Sequence, residues 1–233
     1  MPETRNNVTA FRLIWGALYI LFFPFLIFLL SGDWLWPEAW VWTIWYLTLS
    51  FGTIVYLYRK DPALLAERYQ KPGGEGQKGW DRYVVVALVV SYFAWIILMP
   101  LDAKRYEWSG PIPLWLKVLG GIGLLKSAFF MFRSYADNTF VSPLVRMQKE
   151  RKQKVISTGV YGFVRHPMYL GGITLFISTP LLLGSLYGFW LGVGISLLIA
   201  GRTIGEEKML VKELKGYTAY QKKVRYRLIP WIW

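Results

Sequence analysis

The chain has 233 residues, a net charge of +13, one histidine and no cysteine, and 55% of its residues are hydrophobic and 18% aromatic. That is more apolar surface than one soluble domain of this length can bury, which excludes an ordinary soluble protein. The missing cysteines exclude disulfides, thiolate nucleophiles and cysteine-ligated metals, and a lone histidine argues against a histidine-rich metal cluster, so no metal site is expected.

Residues 1–10 are polar, and an apolar run from Phe11 to Leu30 follows. At about 1.5 Å per residue it is long enough to cross a hydrocarbon core of roughly 30 Å. It ends in Phe28-Leu29-Leu30-Ser31-Gly32-Asp33 with no small-x-small cleavage pattern, so it reads as a span, kinked at Pro24, and not as a signal peptide. The link 32–38 carries Asp33 and Glu38 but no Lys or Arg, and Trp34, Trp36 and Trp40 crowd it as in an outer aromatic belt. A second span covers Ala39 to Tyr58 and stops at Arg59-Lys60. Asp61 and Pro62 then supply an N-cap and a first helical position for a short interfacial helix to Arg68. A third span is predicted over Tyr83 to Leu101 and a fourth from Pro113 to Phe132, with Lys126 inside it either snorkelling toward the inner headgroups or facing a polar cavity.

A basic linker leads to Arg165, and a mostly apolar run extends from Leu170 to Ala200. One helix of that length overshoots the hydrocarbon, whereas Pro180 and Gly184-Ser185 interrupt it midway, so a tight hairpin of two helices is expected. Gly184, Gly188 and Gly192 recur every four residues, which lets the second arm approach a neighbour closely; that arm continues past the membrane to a stop at Gly216. The fold class is therefore an all-α integral membrane protein of about six transmembrane helices. It divides into a four-helix region, 1–133, and a second region, 134–233, that holds the hairpin and a C-terminal tail.

With a cytosolic N-terminus, 23 of the 27 Lys and Arg residues fall on the inner side, beginning with Arg5 and Arg12. The positive-inside pattern thus accounts for the charge through membrane lipids, and no nucleic-acid partner is needed. Both ends of the hairpin return to that side. They gather Arg165, His166, Tyr169, Arg202, Glu206 and Glu207, with Tyr217 and Tyr220 able to fold back over them as a lid. Arg202 and Glu206 are four apart on a helix and share a face for an ion pair or a shared ligand, while Glu207 is turned about 100° away. Each residue also has a plain structural use. A histidine before proline serves as a turn residue, the glutamates suit a solvated helix beside Lys208 and Lys212, and the arginines suit phosphate anchoring.

Arg165-His-Pro-Met-Tyr169-x-Gly171 is preceded by Ser157-Thr-Gly-Val-Tyr161. It is followed by Arg202-Thr-x-x-Glu-Glu207, by Gly216-Tyr-x-x-Tyr220-x-x-x-Val224 and by Ile229-Pro230. In this order the elements resemble the isoprenylcysteine carboxyl methyltransferase family, whose superfamily includes membrane phospholipid and small-thiol methyltransferases. The resemblance covers residues 138–233. It implies an S-adenosylmethionine site at the cytosolic face, in a C-terminal cofactor-binding region without a Rossmann domain. His166 and Tyr169 would contact the methionine end of that cofactor and Glu206 or Glu207 its polar groups, with Arg202 orienting the methyl acceptor. Val155, Tyr161, Leu170 and Gly171 would line the pocket or offer backbone contacts. The eukaryotic enzymes carry a histidine in the linker before the motif, and this chain has none there.

The expected function is an integral membrane methyltransferase acting on a lipophilic acceptor that presents a carboxylate, amine or thiol, with Arg202 and Glu206 as catalytic candidates. A prokaryotic inner membrane is the expected location, with both termini and the cofactor site cytosolic. The alternatives are an NADPH-dependent sterol-type reductase of related architecture and a non-catalytic membrane scaffold.

Overall fold

A computed structural model describes residues 9–233, so the basic residue Arg5 lies outside the described part. Among the described residues all regular structure is helical. α1 (Ala10–Ser31) starts at Thr9, whose hydroxyl accepts the Arg12 N–H, and ends at Gly32 with φ 70°, a left-handed turn natural for glycine. Pro24 lies inside this uninterrupted helix. α2 (Pro37–Lys60) opens on a proline at its first position, and α3 (Pro62–Arg68) forms as its Asp61-Pro62 start implies, with the Asp61 carboxylate accepting Leu64 N–H at 2.9 Å.

α4 (Gly79–Pro100) runs into a π-helical turn, Leu101–Arg105, and starts four residues before the expected Tyr83. α5 (Leu114–Asp137) continues past Phe132 toward the linker. α6 (Pro167–Leu183) and α7 (Leu186–Glu213) make the hairpin, which turns at Gly184 with φ 88° and is capped by the Ser185 hydroxyl on Gly188 N–H at 2.8 Å. α7 ends three residues short of Gly216, which instead begins α8 (Tyr217–Lys223). Five of these helices, α1, α2, α4 with its π turn, α5 and α7, are long and apolar enough to cross a membrane, whereas α6 has 17 residues. The chain is an integral membrane protein. Lys126 is exposed on the outside of the bundle, facing away from the core.

The core is aromatic and aliphatic, with Phe23, Ile27, Trp42, Trp95, Ile96, Met99, Leu124 and Ile195 almost wholly buried. α6 packs along α5, and α7 along α6 and α4. Small residues set these distances. A Cβ on Gly120 would lie 2.5 Å from Leu182 N, and one on Gly192 would lie 2.2 Å from Phe176 O, so both contacts admit only glycine. At the end away from the basic segments, the fully buried Asp102 accepts from Ser109, from the Ser185 hydroxyl at 2.5 Å and from Tyr187 N–H at 3.2 Å. Nearby, Lys104 and Lys117 pair with Asp33 and Glu38 at 3.0 and 2.5 Å. Two of the four cations outside the positive-inside pattern thus sit opposite the acids of the aromatic link.

Candidate functional site

Pro167 starts α6 without needing an N–H, so His166 and Arg165 end an extended segment whose own N–H groups are free. The C-terminal tail uses them. Arg165 N–H and His166 N–H donate to Tyr226 O and Arg227 O, both at 2.9 Å, and Trp233 O closes the tail by accepting three N–H groups from Arg227, Leu228 and Ile229. The polar ends of α6 and α7 and the returning tail therefore meet at one level of the bundle.

Glu207 knots this junction. It accepts from Arg165 Nε at 2.5 Å and Arg227 Nε at 2.6 Å, lies 3.3 Å from His166 Nε2, and receives the Tyr217 hydroxyl at 3.5 Å. Arg165 also donates to Val224 O and Arg225 O at 2.7 and 2.6 Å. The carboxylate and the Arg165 guanidinium are both nearly dry, so the pair is fully spent on holding the tail. Arg202 is spent as well. Its guanidinium meets the fully buried Asp81 at 2.8 and 3.3 Å and donates to Pro143 O at 2.8 Å, and Asp81 further accepts from Gln77 and Val145 N–H. The Arg202–Glu206 ion pair that the helical spacing allows does not form, because Asp81 offers a dry bidentate partner that an i,i+4 neighbour cannot match.

Glu206 is different. Its described partner is the Tyr169 hydroxyl at 2.5 Å, and the Tyr169 ring lies parallel to His166, centroids 5.6 Å apart and planes 6° apart, with Arg202 Cζ 5.5 Å from its face. Glu206, Tyr169 and His166 border a cleft of about 800 Å³ including its mouth. Val155 and Tyr161 also line it. Glu207, Arg202, Leu170 and Gly171 do not: Leu170 packs with Val164 and Leu228, and Gly171 sits against Met131 of α5, its carbonyl accepting from Ser127 at 2.8 Å. The linker supplies a wall that the motif does not predict, including Asn138, Arg146 and Lys154. Arg146 is neutralised by Glu67 at 2.6 Å and Glu150 at 2.7 Å.

Tyr217 and Tyr220 close the cleft from the tail side, and the Tyr220 hydroxyl reaches across to Tyr161 O at 2.7 Å. Burial pushes the phenols of Tyr161, Tyr217 and Tyr220 well above their ordinary range, which keeps them neutral donors. Among the described residues no group of three His, Asp or Glu side chains is arranged to hold a metal ion. The cleft thus offers one carboxylate and one lysine, Lys154, that make no ion pair among the described residues, with neutral phenols and apolar walls from Met168, Met209 and Leu210. It suits an organic ligand that carries both positive and negative groups.

The fold and the cleft define a membrane-embedded helical bundle with a polar cleft where its last two long helices and the returning tail meet. Residues 116–216 match the family model for phospholipid methyltransferases. A solved structure of the eukaryotic intramembrane Ras methyltransferase, an isoprenylcysteine carboxyl methyltransferase, has the same fold, with a TM-score of 0.52 at 17% identity over 94% of this chain and 87% of that one. Protein-S-isoprenylcysteine O-methyltransferase B of Arabidopsis thaliana is 30% identical over 106 residues, 44% of this chain and 50% of the relative. A delta(14)-sterol reductase of Mus musculus is 28% identical over 160 residues, 63% of this chain and 38% of the relative. The chain therefore spans half or less of the length of the curated relatives it matches. Residues 116–216 thus resemble the membrane phospholipid methyltransferases, and the fold is that of the isoprenylcysteine carboxyl methyltransferase structure.

Proposed function

We propose that the protein is an S-adenosylmethionine-dependent methyltransferase whose acceptor is a lipid-like molecule presenting a carboxylate, amine or thiol. The observation that carries this reading is the Glu206 carboxylate, which lines the cleft and has no cationic partner among the described residues. S-adenosylmethionine is a zwitterion with an added sulfonium charge, and the donor set fits it. Glu206 receives the ammonium group, Lys154 offers a counter-charge to the carboxylate, and the side chains of Met209 and Leu210 receive the purine.

When bound, the cofactor supplies a methyl group already activated by positive sulfur. What remains for the chain is alignment and exclusion of water. Tyr169 fixes the Glu206 carboxylate, and Arg202 and His166 fix Tyr169 from its two sides. Arg202 is bound by Asp81, so it acts as a positioning residue that presents the acceptor through Tyr169. Tyr161, Tyr217 and Tyr220 shield the cleft, and their neutral phenols cannot compete as nucleophiles. The basic side of the bundle is cytosolic in this reading, so a polar cofactor arrives from water while an apolar acceptor arrives from the bilayer.

A second reading rests on the sterol reductase relative: a nicotinamide cofactor in the same cleft and hydride transfer to a polycyclic lipid. Isothermal titration separates the two. S-adenosylhomocysteine should bind and NADPH should not, and Glu206→Gln should weaken the first. Binding of NADPH alone overturns the proposal. Incubation with methyl-labelled cofactor and a native lipid extract, followed by mass spectrometry, then identifies the acceptor.

A further inference from the structure

A second cavity lies apart from the cleft, within the membrane-spanning bundle. It is bounded by α1, α2, α4, α5 and Leu175 of α6, closed at the basic end by α3, and encloses about 1120 Å³ including its mouth. Its long axis follows α2, where Trp42, Tyr46, Leu49, Thr53 and Leu57 fall on one stripe. At about 1.5 Å per residue that stripe is about 22 Å long, comparable to an extended fatty acyl chain. Its walls are aliphatic and aromatic, and Tyr19, half exposed on the surface of α1, stands at the mouth. An unfilled apolar space of this size would forfeit the dispersion contacts of its entire lining.

The basic end carries arginines that make no ion pair among the described residues. Arg68 lies over the Tyr135 ring, its Cζ 5.2 Å from the centroid, and no salt bridge links it to a carboxylate among the described residues. Tyr69 beside it extends its hydroxyl to α1, where Gly16 leaves the room for it. Arg12 lies four residues before Gly16 on α1, on the same face and one turn nearer the basic end. Arg12 too has no ion pair among the described residues. Leu65 and Tyr135 line this chamber and pack in one cluster with Val141, which lines the cleft on the other side, so the two spaces are separated by side chains.

We infer that this chamber holds one acyl chain of an anionic glycerophospholipid, whose phosphate is bound by Arg12, Arg68 and the Tyr69 hydroxyl. The lipid is a resident of the fold and not the methyl acceptor, because the wall formed by Leu65, Tyr135 and Val141 keeps its headgroup from Glu206. Its chain supplies the packing that α1 and α2 lack along the chamber, and its charge matches arginines on the side of the bundle where basic residues cluster.

Native mass spectrometry of the delipidated full chain, mixed with equimolar phosphatidylglycerol and phosphatidylcholine, tests this. One retained lipid is expected, with about a tenfold preference for phosphatidylglycerol. Arg68→Gln should abolish the preference and Thr53→Phe, which fills the chamber, should abolish retention. Both variants should keep wild-type affinity for S-adenosylhomocysteine, since neither residue borders the cleft. Equal retention of the two lipids by the wild type overturns the proposal, as does unreduced phosphatidylglycerol retention in the Arg68→Gln variant. The readout is lipid retained and not methyl transferred, so it stands or falls independently of the reaction assigned to the cleft.

Discussion

Glu206 and Glu207 are adjacent in the chain and belong to two different regions. Around Glu207 the carboxylate is saturated: Arg165 and Arg227 both donate to it, His166 lies beside it, and the same Arg165 caps two tail carbonyls. Around Glu206 the charge is left over, held in orientation by a neutral phenol at the edge of a cleft. The difference teaches how the helical period divides labour. A step of about 100° turns one carboxylate into the tail and the next into the cleft, so one serves stability and the other is available to a ligand.

The comparison breaks first at Glu207. Glu207→Gln leaves Arg165 buried without its counter-ion and should cost about 3–5 kcal/mol, read as a large fall in the thermal unfolding midpoint in detergent. An unchanged midpoint would remove the clamp. Asp81→Asn should cost about 3 kcal/mol by the same argument, and it adds a second effect. The released Arg202 lies four residues from Glu206 and should pair with it, lowering the affinity for S-adenosylhomocysteine; Asp81→Asn combined with Arg202→Gln should recover part of that affinity, short of the wild-type value because Arg202 no longer braces Tyr169. Glu206→Gln is the converse of the first change. It should shift the midpoint by less than about 1 kcal/mol, while the loss of a charged hydrogen bond of about 1.5–3 kcal/mol weakens S-adenosylhomocysteine some ten- to hundredfold. If Glu206→Gln unfolds the protein and Glu207→Gln spares it, the two roles are reversed.

Much of the helical frame is legible along the chain because its signals are local. The Asp61-Pro62 start, the Gly184-Ser185 turn and the spans each announce themselves within a few residues, and the structure has them with boundaries shifted by a few positions. The return of Tyr217 and Tyr220 over the cleft is likewise visible from the break at Gly216. What is not visible is who pairs with whom. Asp81 is 121 residues from Arg202, and Asp102 is 83 from Ser185, so nothing nearby in sequence marks either as a buried anchor. Local spacing favours Arg202 with Glu206, and a distant, drier carboxylate wins. Leu170 and Gly171 show the same limit: their position in the motif suggests the pocket wall, but the helix turns them toward Leu228 and Met131.

The smallest of the expected effects concerns the bridge between Tyr220 and Tyr161. This hydrogen bond, 2.7 Å from a phenol to a backbone carbonyl, joins α8 to the turn before the histidine along the buried wall of the cleft. Tyr220→Phe keeps the ring, and hence the packing of the tail cluster around Met209 and Tyr217, while removing the donor. The stability cost should be about 1 kcal/mol, the net worth of one neutral hydrogen bond. If the tail is a fixed wall, ligand exchange is unaffected. If α8 swings aside to admit the cofactor, the lost bond favours the open form, so the association and dissociation rates of S-adenosylhomocysteine should both rise several-fold. Stopped-flow measurement of both rates distinguishes the cases: a faster exchange at nearly constant affinity makes the tail a gate, and unchanged rates make it part of the same rigid clamp that Glu207 ties.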